Sequence, residues 1–338
     1  MTRFGRITEA RLAAWYGEDV WEALRICMGG LRVPVPVMGI PAAICPDGRI
    51  LPRIAGGAGF ASLSDLISEA TTGGKAQTIA YQKVGVTAPA VAATQPLWNV
   101  GNLPAAGGVG GTSGTGAVPA RTATGALKQE NAGAGDTLHL TTWTGASTQA
   151  GALLLYDRLW HMTHNHASAL STAVDSANRP SRYQAATTAP GNFVTSEVTT
   201  VLSATAHNIT LTYVDQDGNT AEANNAQAIR VSSAVQTIAL TAPQWTWNLN
   251  AADTGLRYLT NVTQSTITSV TGTSSFVIGH PLAILPMPIA NQAAILDGIN
   301  SAFNLVRVYD DAALALNEFS KTATGAATVT GIIQLVSG

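Results

Sequence analysis

Three of the six histidines fall within six residues, His161-Met162-Thr163-His164-Asn165-His166. Imidazoles this close invite metal binding or proton transfer. On a helix His161 and His164 share a face at i, i+3, a spacing that suits two ligands of one ion, whereas on a strand His164 and His166 share it. Neither pair has a carboxylate or cysteine placed to complete a known ligand set. The expectation is a polar, partly exposed turn, with no metal and no cofactor.

The other chemical motifs fail on spacing. Asp215-Gln216-Asp217-Gly218-Asn219 opens like a calcium loop, but glycine falls at position four instead of six and Ala226 stands where a glutamate belongs; it reads as a hairpin turn. Gly73-Gly74-Lys75 lacks the hydroxyl residue of a phosphate loop, Ala76 standing in its place, and Glu69 replaces the first glycine. The glycine run at 107–116 has neither dinucleotide nor nucleophile-elbow spacing. Asp297, Asp310 and Asp311 are acids a glycosidase would need in a facing pair, but aromatics are only 6%, too few for a sugar cleft, so they read as caps or turns. Asn208-Ile209-Thr210 and Asn261-Val262-Thr263 match the glycosylation pattern and read as chance in a threonine-rich chain. Cys27 and Cys45 are too few for a disulfide framework; they are two small buried residues or one bridge. No catalytic constellation remains.

Composition narrows the classes further. The 338 residues are 46% hydrophobic but 11% charged, against roughly 25% in an average soluble domain. Such a chain is too apolar for disorder, and its 18 basic residues are scattered at a net charge of −2, without the clustered basic groove that nucleic acid needs. The N-terminus carries Glu9, Glu18, Asp19 and Glu22 and lacks the order of a secretory signal, and the most apolar run, Val277 to Ala290, is broken by His280 and three prolines. Synthesis in the cytoplasm, with no membrane partner, is the expectation. Neutral Thr, Ser, Asn and Gln cost less to bury than charges do, so this surface suits packing into a polymer.

Residues 9–28 are predicted helical, with Leu12, Trp15, Tyr16, Val20, Leu24 and Cys27 forming a stripe that Gly29-Gly30 stops. Prolines at 34, 36, 41, 46 and 52 make the next stretch an extended arm without a central strand. An arm bearing Trp15, Tyr16, Trp21 and Leu24 needs an apolar surface to dock on, its own or a neighbour's, and these four residues are the candidate assembly interface. Ser62 to Ala70 is a short capped helix with Leu63, Leu66 and Ile67 apolar. From Thr71 to Lys128 the Gly/Ala/Thr/Pro-rich composition predicts only short strands, in a flexible linker or a loop laid over a partner.

Beyond Asp136 the pattern alternates with period two at 137–143, 208–213, 229–231 and 266–270, and again at 327–336. Leu153 to Leu170 reads as a buried strand running into a helix, and Ile289 to Phe303 has helical spacing. The fold expected is mainly β, a β-sandwich or jelly-roll-like body with an N-terminal helical arm and a few short helices. Its divisions are an arm at 1–55, a helix and loop region at 56–130, and the sandwich body at 131–338.

The ordered segments Ser62-Leu63-Ser64-Asp65-Leu66-Ile67, Leu153 to Leu159, Ser181-Arg182-Tyr183, Ile209 to Tyr213, Ala252 to Arg257 and Pro281 to Pro286 together resemble tailed-bacteriophage virion structural proteins. They sample most of residues 62–320, and their order and spacing carry the resemblance. It implies a non-enzymatic particle component, a capsid decoration or cement protein located in the virion. Its partners would be the major capsid protein and further copies of itself, in a trimer or another closed oligomer. The alternatives are the major capsid protein of the shell, or a tail or fibre protein that binds the host.

Overall fold

The computed structural model describes residues 60–85, 94–108, 110–111, 113–175, 179–220, 222–241, 244–268, 272–299, 305–320 and 327–338, with three short strands nearer the N-terminus. The segment 9–28, with Trp15, Tyr16, Trp21, Leu24 and Cys27, lies outside the described residues, as does Cys45. The three strands are β1 (Val35–Val37), β2 (Ile40–Ile44) and β3 (Ile50–Pro52), an antiparallel sheet in that order. Proline thus does occur in a central strand here: Pro41 pairs with Pro36, and the ladder to β3 begins only at Ala42. On its β3 side Pro41 therefore has no ladder bond to lose.

Helix α1 (Leu63–Thr71) starts as its sequence predicts: Ser62 accepts a hydrogen bond from the Asp65 N–H at 3.1 Å, and the Asp65 carboxylate accepts from the Ala61 N–H at 2.9 Å. Its apolar stripe is only partly used, since Leu66 is buried while Leu63 and Ile67 are exposed. The chain then enters β4 (Ala76–Val84), a nine-residue strand where composition predicts only short ones. Ile79, Tyr81 and Lys83 alternate inward, a period-two signal diluted by the alanine, threonine and glutamine between them.

A central sheet organises the body. Its order is β10 (Phe193–Thr200), β15 (Thr273–Met287), β8 (Gly151–Asn165), β18 (Leu314–Ser320) and β5 (Thr94–Pro96). One flanking sheet runs β16 (Ala293–Asp297), β7 (Leu138–Ser147), β19 (Thr328–Ser337), β4 and β6 (Asn102–Leu103), with β17 (Val306–Val308) also on β7. The other runs β12 (Glu222–Ala223), β11 (Asn208–Asp215), β14 (Leu256–Gln264) and β9 (Ser171–Ala173), with β13 (Gln227–Ala228) on β11. Every named strand pair is antiparallel, giving the expected mainly-β sandwich architecture.

The two fifteen-residue strands serve both flanking sheets. At one end Leu153, Leu155, Leu285 and Met287 pack against Trp143, Ile333 and Leu335 of the β7–β19 sheet. At the other, Trp160, Met162, Phe276 and Ile278 pack against Ile209, Leu211, Leu259 and Val262 of the β11–β14 sheet. Between them the register shifts, with Trp160 opposite Ile278 and Arg158 opposite Gly279. The extra residue, Leu159, restores the alternation, so the apolar side of β8 faces the same way on both sides of the bulge.

Four local expectations change. Residues 153–165 stay in one strand, and the helix expected to follow is reduced to a turn at 166–168. Ala293 to Asp297 is strand β16 although its spacing is helical, because Ala294 and Leu296 face the core that β7 offers; Phe303 lies outside the described residues. Residues 229–231 make a single bridge, Ile229 to Leu240, and no ladder. Residues 266–268 form a loop whose Thr268 N–H donates to the His166 carbonyl at 3.0 Å.

Where it is described, the low-complexity stretch packs on its own chain. β18 begins opposite Asp157, and past that point on β8 Ala117 and His161 exchange two backbone hydrogen bonds of 2.8 and 3.0 Å, so the loop occupies the vacated edge of β8. Gly116 is obligatory in this path, because its φ is +67° and the Trp160 indole fills the place of a Cβ. Trp98, Ala123 and Ala126 cover Tyr156, Val277 and Ala315 on the other face of the central sheet.

Trp143 is fully buried and donates from Nε1 to the Tyr81 hydroxyl at 2.9 Å. Trp143→Ala is expected to destabilise the fold by about 3–5 kcal/mol, whereas Ile332→Ala, on the exposed side of the adjacent strand, changes stability by about 0.5 kcal/mol or less. Urea unfolding of both variants checks the contrast.

Candidate functional site

Within the run Leu153 to Trp160 only Asp157 and Arg158 are charged. Neighbours on a strand point to opposite faces, so this dipeptide sends a carboxylate to one side of the central sheet and a guanidinium to the other. Arg158 is fully buried and grips Glu197 of β10 at 2.6 and 3.0 Å. Its Nε donates to His161 Nδ1 at 3.2 Å, and its guanidinium lies 4.7 Å from the Trp98 ring centre. On the opposite face Arg182 binds Asp157 through Nε and Nη2 at 2.7 and 2.9 Å, and the Ala313 N–H donates to the same carboxylate at 3.1 Å. Tyr183, next to Arg182, stacks on His280 at 3.7 Å, and His280 Nδ1 lies 2.8 Å from Asn192 Oδ1. With their lone pairs committed to guanidinium and backbone N–H groups, these carboxylates act as structural clamps.

The histidines are not in an exposed turn. All three are buried on β8 or at its end, because the strand continues through them into the second core. His161 faces Arg158, and burial with that positive charge pushes its imidazole down to about 2. His164 and His166 meet edge to face at 4.8 Å, and His207, distant in sequence, joins them with Nε2 3.0 Å from His166 Nδ1. The partners fix the tautomers. His207 Nδ1 lies 3.1 Å from the Thr205 carbonyl and must donate, so its Nε2 accepts from His166 Nδ1, whose Nε2 accepts from the Ser274 hydroxyl at 2.8 Å. His164 donates from Nε2 to Gln264 Oε1 at 3.4 Å and accepts at Nδ1 from Thr172 at 3.0 Å. Each of these ring nitrogens has a protein partner, and among the described residues no group of three His, Cys, Asp or Glu is arranged to hold a metal ion.

The remaining motifs have local duties. Asp215 Oδ1 accepts from the N–H groups of Asp217, Gly218 and Asn219 at 2.7–2.9 Å, closing the turn between β11 and β12. Burial works against its charge, but these bonds and the Asn219 amide hold the carboxyl below the usual range. Lys75 pairs with Glu69 and Asp136 at 3.1 and 2.9 Å. Asp310 caps the Ala132 N–H, Asp297 the Ile299 N–H, and Asp311 exchanges bonds with Asn131. Asn261 is engaged by Ser171 and Thr263.

The outward side of the β7–β19 sheet has a different character. Three rows cross it in register: Ala293–Ala146–Thr330–Gln82, Ile295–Thr144–Ile332–Ala80 and Asp297–Thr142–Gln334–Thr78. Asp297, at the β16 edge, is the one charge in the three rows. Ile295 is 67% exposed and Ile332 42%. Sequence reasoning missed this face because its residues read individually as low-complexity Thr and Ala; only the strand register aligns them. The ion pairs had a visible signal, two opposite charges inside an otherwise apolar run, but their partners Glu197 and Arg182 are remote in sequence.

Together these features define a mainly β protein of stacked antiparallel sheets with two ion pairs, Arg158–Glu197 and Asp157–Arg182, buried inside it. No protein-family model matches the chain, and no curated protein is similar to it in sequence. Among solved structures, infectious bursal disease virus VP2 in a subviral particle aligns over 80% of this chain and 86% of its own, at 10% identity and a TM-score of 0.18. The structure of the Gx strain of that virus aligns over 77% and 80%, at 9% identity and a TM-score of 0.16. Scores at this level do not define a shared fold.

The buried imidazoles set a pH response. Burial, with smaller contributions from neighbouring histidines, pushes His164 to about 4 and His166 to about 3, and burial pushes His280 to about 4. Below the unfolded value of about 6.5 the unfolded chain binds more protons, so stability present above that pH is lost as the pH falls toward these folded values. Glu318 acts oppositely, since burial raises it to about 7 and its contribution is lost as the pH rises through that value. The histidines outnumber it, so the urea midpoint is expected to be lower at pH 4.5 than at pH 7; an unchanged or higher midpoint contradicts the buried neutral cluster.

Proposed function

We propose that the protein is a non-enzymatic structural subunit of a virus particle, a capsid decoration or cement protein that stabilises a phage head through intersubunit contacts. The observation that carries this reading is the nearly uncharged outward face of β16, β7, β19 and β4, a lattice of Ala, Thr, Ile and Gln in register. An exposed sheet face of this composition carries little desolvation penalty when covered, which suits a surface that neighbours occupy. The interior supports the same reading, because the best-paired charges, Arg158 with Glu197 and Asp157 with Arg182, are sealed inside the body.

In this assignment the protein is made in the host cytoplasm and resides in the virion. Its partners are the major capsid protein and copies of itself in a trimer or another closed oligomer. Residues 1–55 form the arm, with Trp15, Tyr16, Trp21 and Leu24 as its anchor, and residues 56–130 and 131–338 supply the body.

Charging the face tests the assignment. The pair Ile295→Lys and Ile332→Lys changes exposed positions only, so the free subunit should lose no more than about 0.5 kcal/mol per site. Its occupancy in assembled particles should be lost. Normal occupancy of the double variant contradicts the reading.

A further inference from the structure

We infer that the open part of this outward face is the seat for residues 9–28 of a neighbouring copy, an inference that rests on the structural-subunit reading and names one contact by which the assembly is held. The face is already half explained by its own chain. At one end of it, Val336 of β19 stands in register with His139 of β7 and Ala76 of β4. Phe60 and Leu66 bury Val336, and the Phe60 ring lies 5.4 Å from the His139 ring. The chain preceding β4 therefore comes down onto this side of the sheet and covers it. Helix α1 has nine residues, about 14 Å of length, and covers that end alone; among the described residues the three rows beyond it stay open.

The size of the open area selects the occupant. Four strands spaced ~4.8 Å apart and three rows deep give a face of roughly 300–400 Å². Two copies meeting through this face alone would bury about half of the ~800 Å² per partner that a stable interface needs. A twenty-residue helix is ~30 Å long and ~10 Å wide, so laid along the diagonal of the face it covers most of the area. The segment 9–28, whose sequence predicts such a helix, supplies large apolar groups in Leu12, Trp15, Tyr16, Val20 and Leu24, and the small Ala and Thr side chains of the rows leave room for them.

Delivery from a neighbour follows from the structural-subunit reading, in which contacts between copies hold the assembly together. Among the described residues, strands β1 to β3 pair with one another and no ladder joins them to the three sheets of the body. Residues 29–34 and 53–59 lie on either side of that spacer, and each link spans at most ~20–25 Å when extended. Links of this length let the segment reach its own face or a neighbour's, and a cross-link distinguishes the two.

Cross-linking the full chain in its assembled state tests the inference. Cys27 ends the segment; with Cys45→Ser and one new thiol, Thr144→Cys or Ile332→Cys, a short bis-maleimide should yield covalent dimers and larger species. These should vanish on Cys27→Ser and be absent with the exposed control Val201→Cys. A cross-linked product of monomer size overturns the inference in favour of the chain's own arm, and dimers that persist without Cys27 overturn it in favour of face-to-face pairing. Absence of cross-links in chains that do enter particles overturns it while leaving the structural-subunit reading standing. Failure of the unmodified chain to enter particles overturns both.

Discussion

Asp157 and Arg158 are adjacent on β8 but face opposite ways, so each must find its counter-charge in a different part of the molecule. Arg158 reaches across the central sheet to Glu197 on β10, and Asp157 receives Arg182 from the segment before it. Removing one member of such a buried pair leaves an uncompensated charge, at about 3–5 kcal/mol. The pairs are a requirement more than a source of stability, since apolar replacements of equal shape are often no worse. What they impose is arrangement: β10, β15 and β8 must lie in one order and register, with the bulge at Leu159 placed so that the two cores share one side of β8.

The same constraint explains how an interior with many polar groups can coexist with a nearly neutral exterior. His166 relays one direction of hydrogen bonding from Ser274 to His207 and on to the Thr205 carbonyl, an order that holds only while the rings stay neutral. Lys83 is buried and satisfied by the Val100 and Pro104 carbonyls at 2.8 and 2.7 Å, and burial lowers its ammonium to about 8. With only 11% charged residues in the chain, each charge drawn inside leaves the surface more neutral still. The outward face of the β7–β19 sheet shows this depletion, with Asp297 the one charge in its three rows.

Much of the architecture was legible where side chains alternate against a single core. Leu138 to Trp143, Asn208 to Tyr213 and Thr328 to Val336 are strands for that reason, and Ser62 with Asp65 marked the start of α1. The reading failed where pairing partners decide. Ala293, Leu296 and Ile299 have helical spacing, and a short apolar run cannot distinguish helix from strand by period alone; β7 settles it. His164 and His166 looked exposed because polar residues usually are, and nothing local announced that Gln264, Ser274, Thr172 and His207 would converge on them. The candidate face was least legible of all, since Thr144, Ile332 and Ile295 become neighbours only through the ladders of three strands.

β8 and β15 run through both cores and so make them one cooperative body, with the Asp157 and Arg158 pairs fixing β8 in place. Differential scanning calorimetry of the full chain tests it most directly. The shared sheet predicts a single transition for the body, with calorimetric and van't Hoff enthalpies in agreement. Two resolved transitions, one for the β7–β19 core and one for the β11–β14 core, would contradict it.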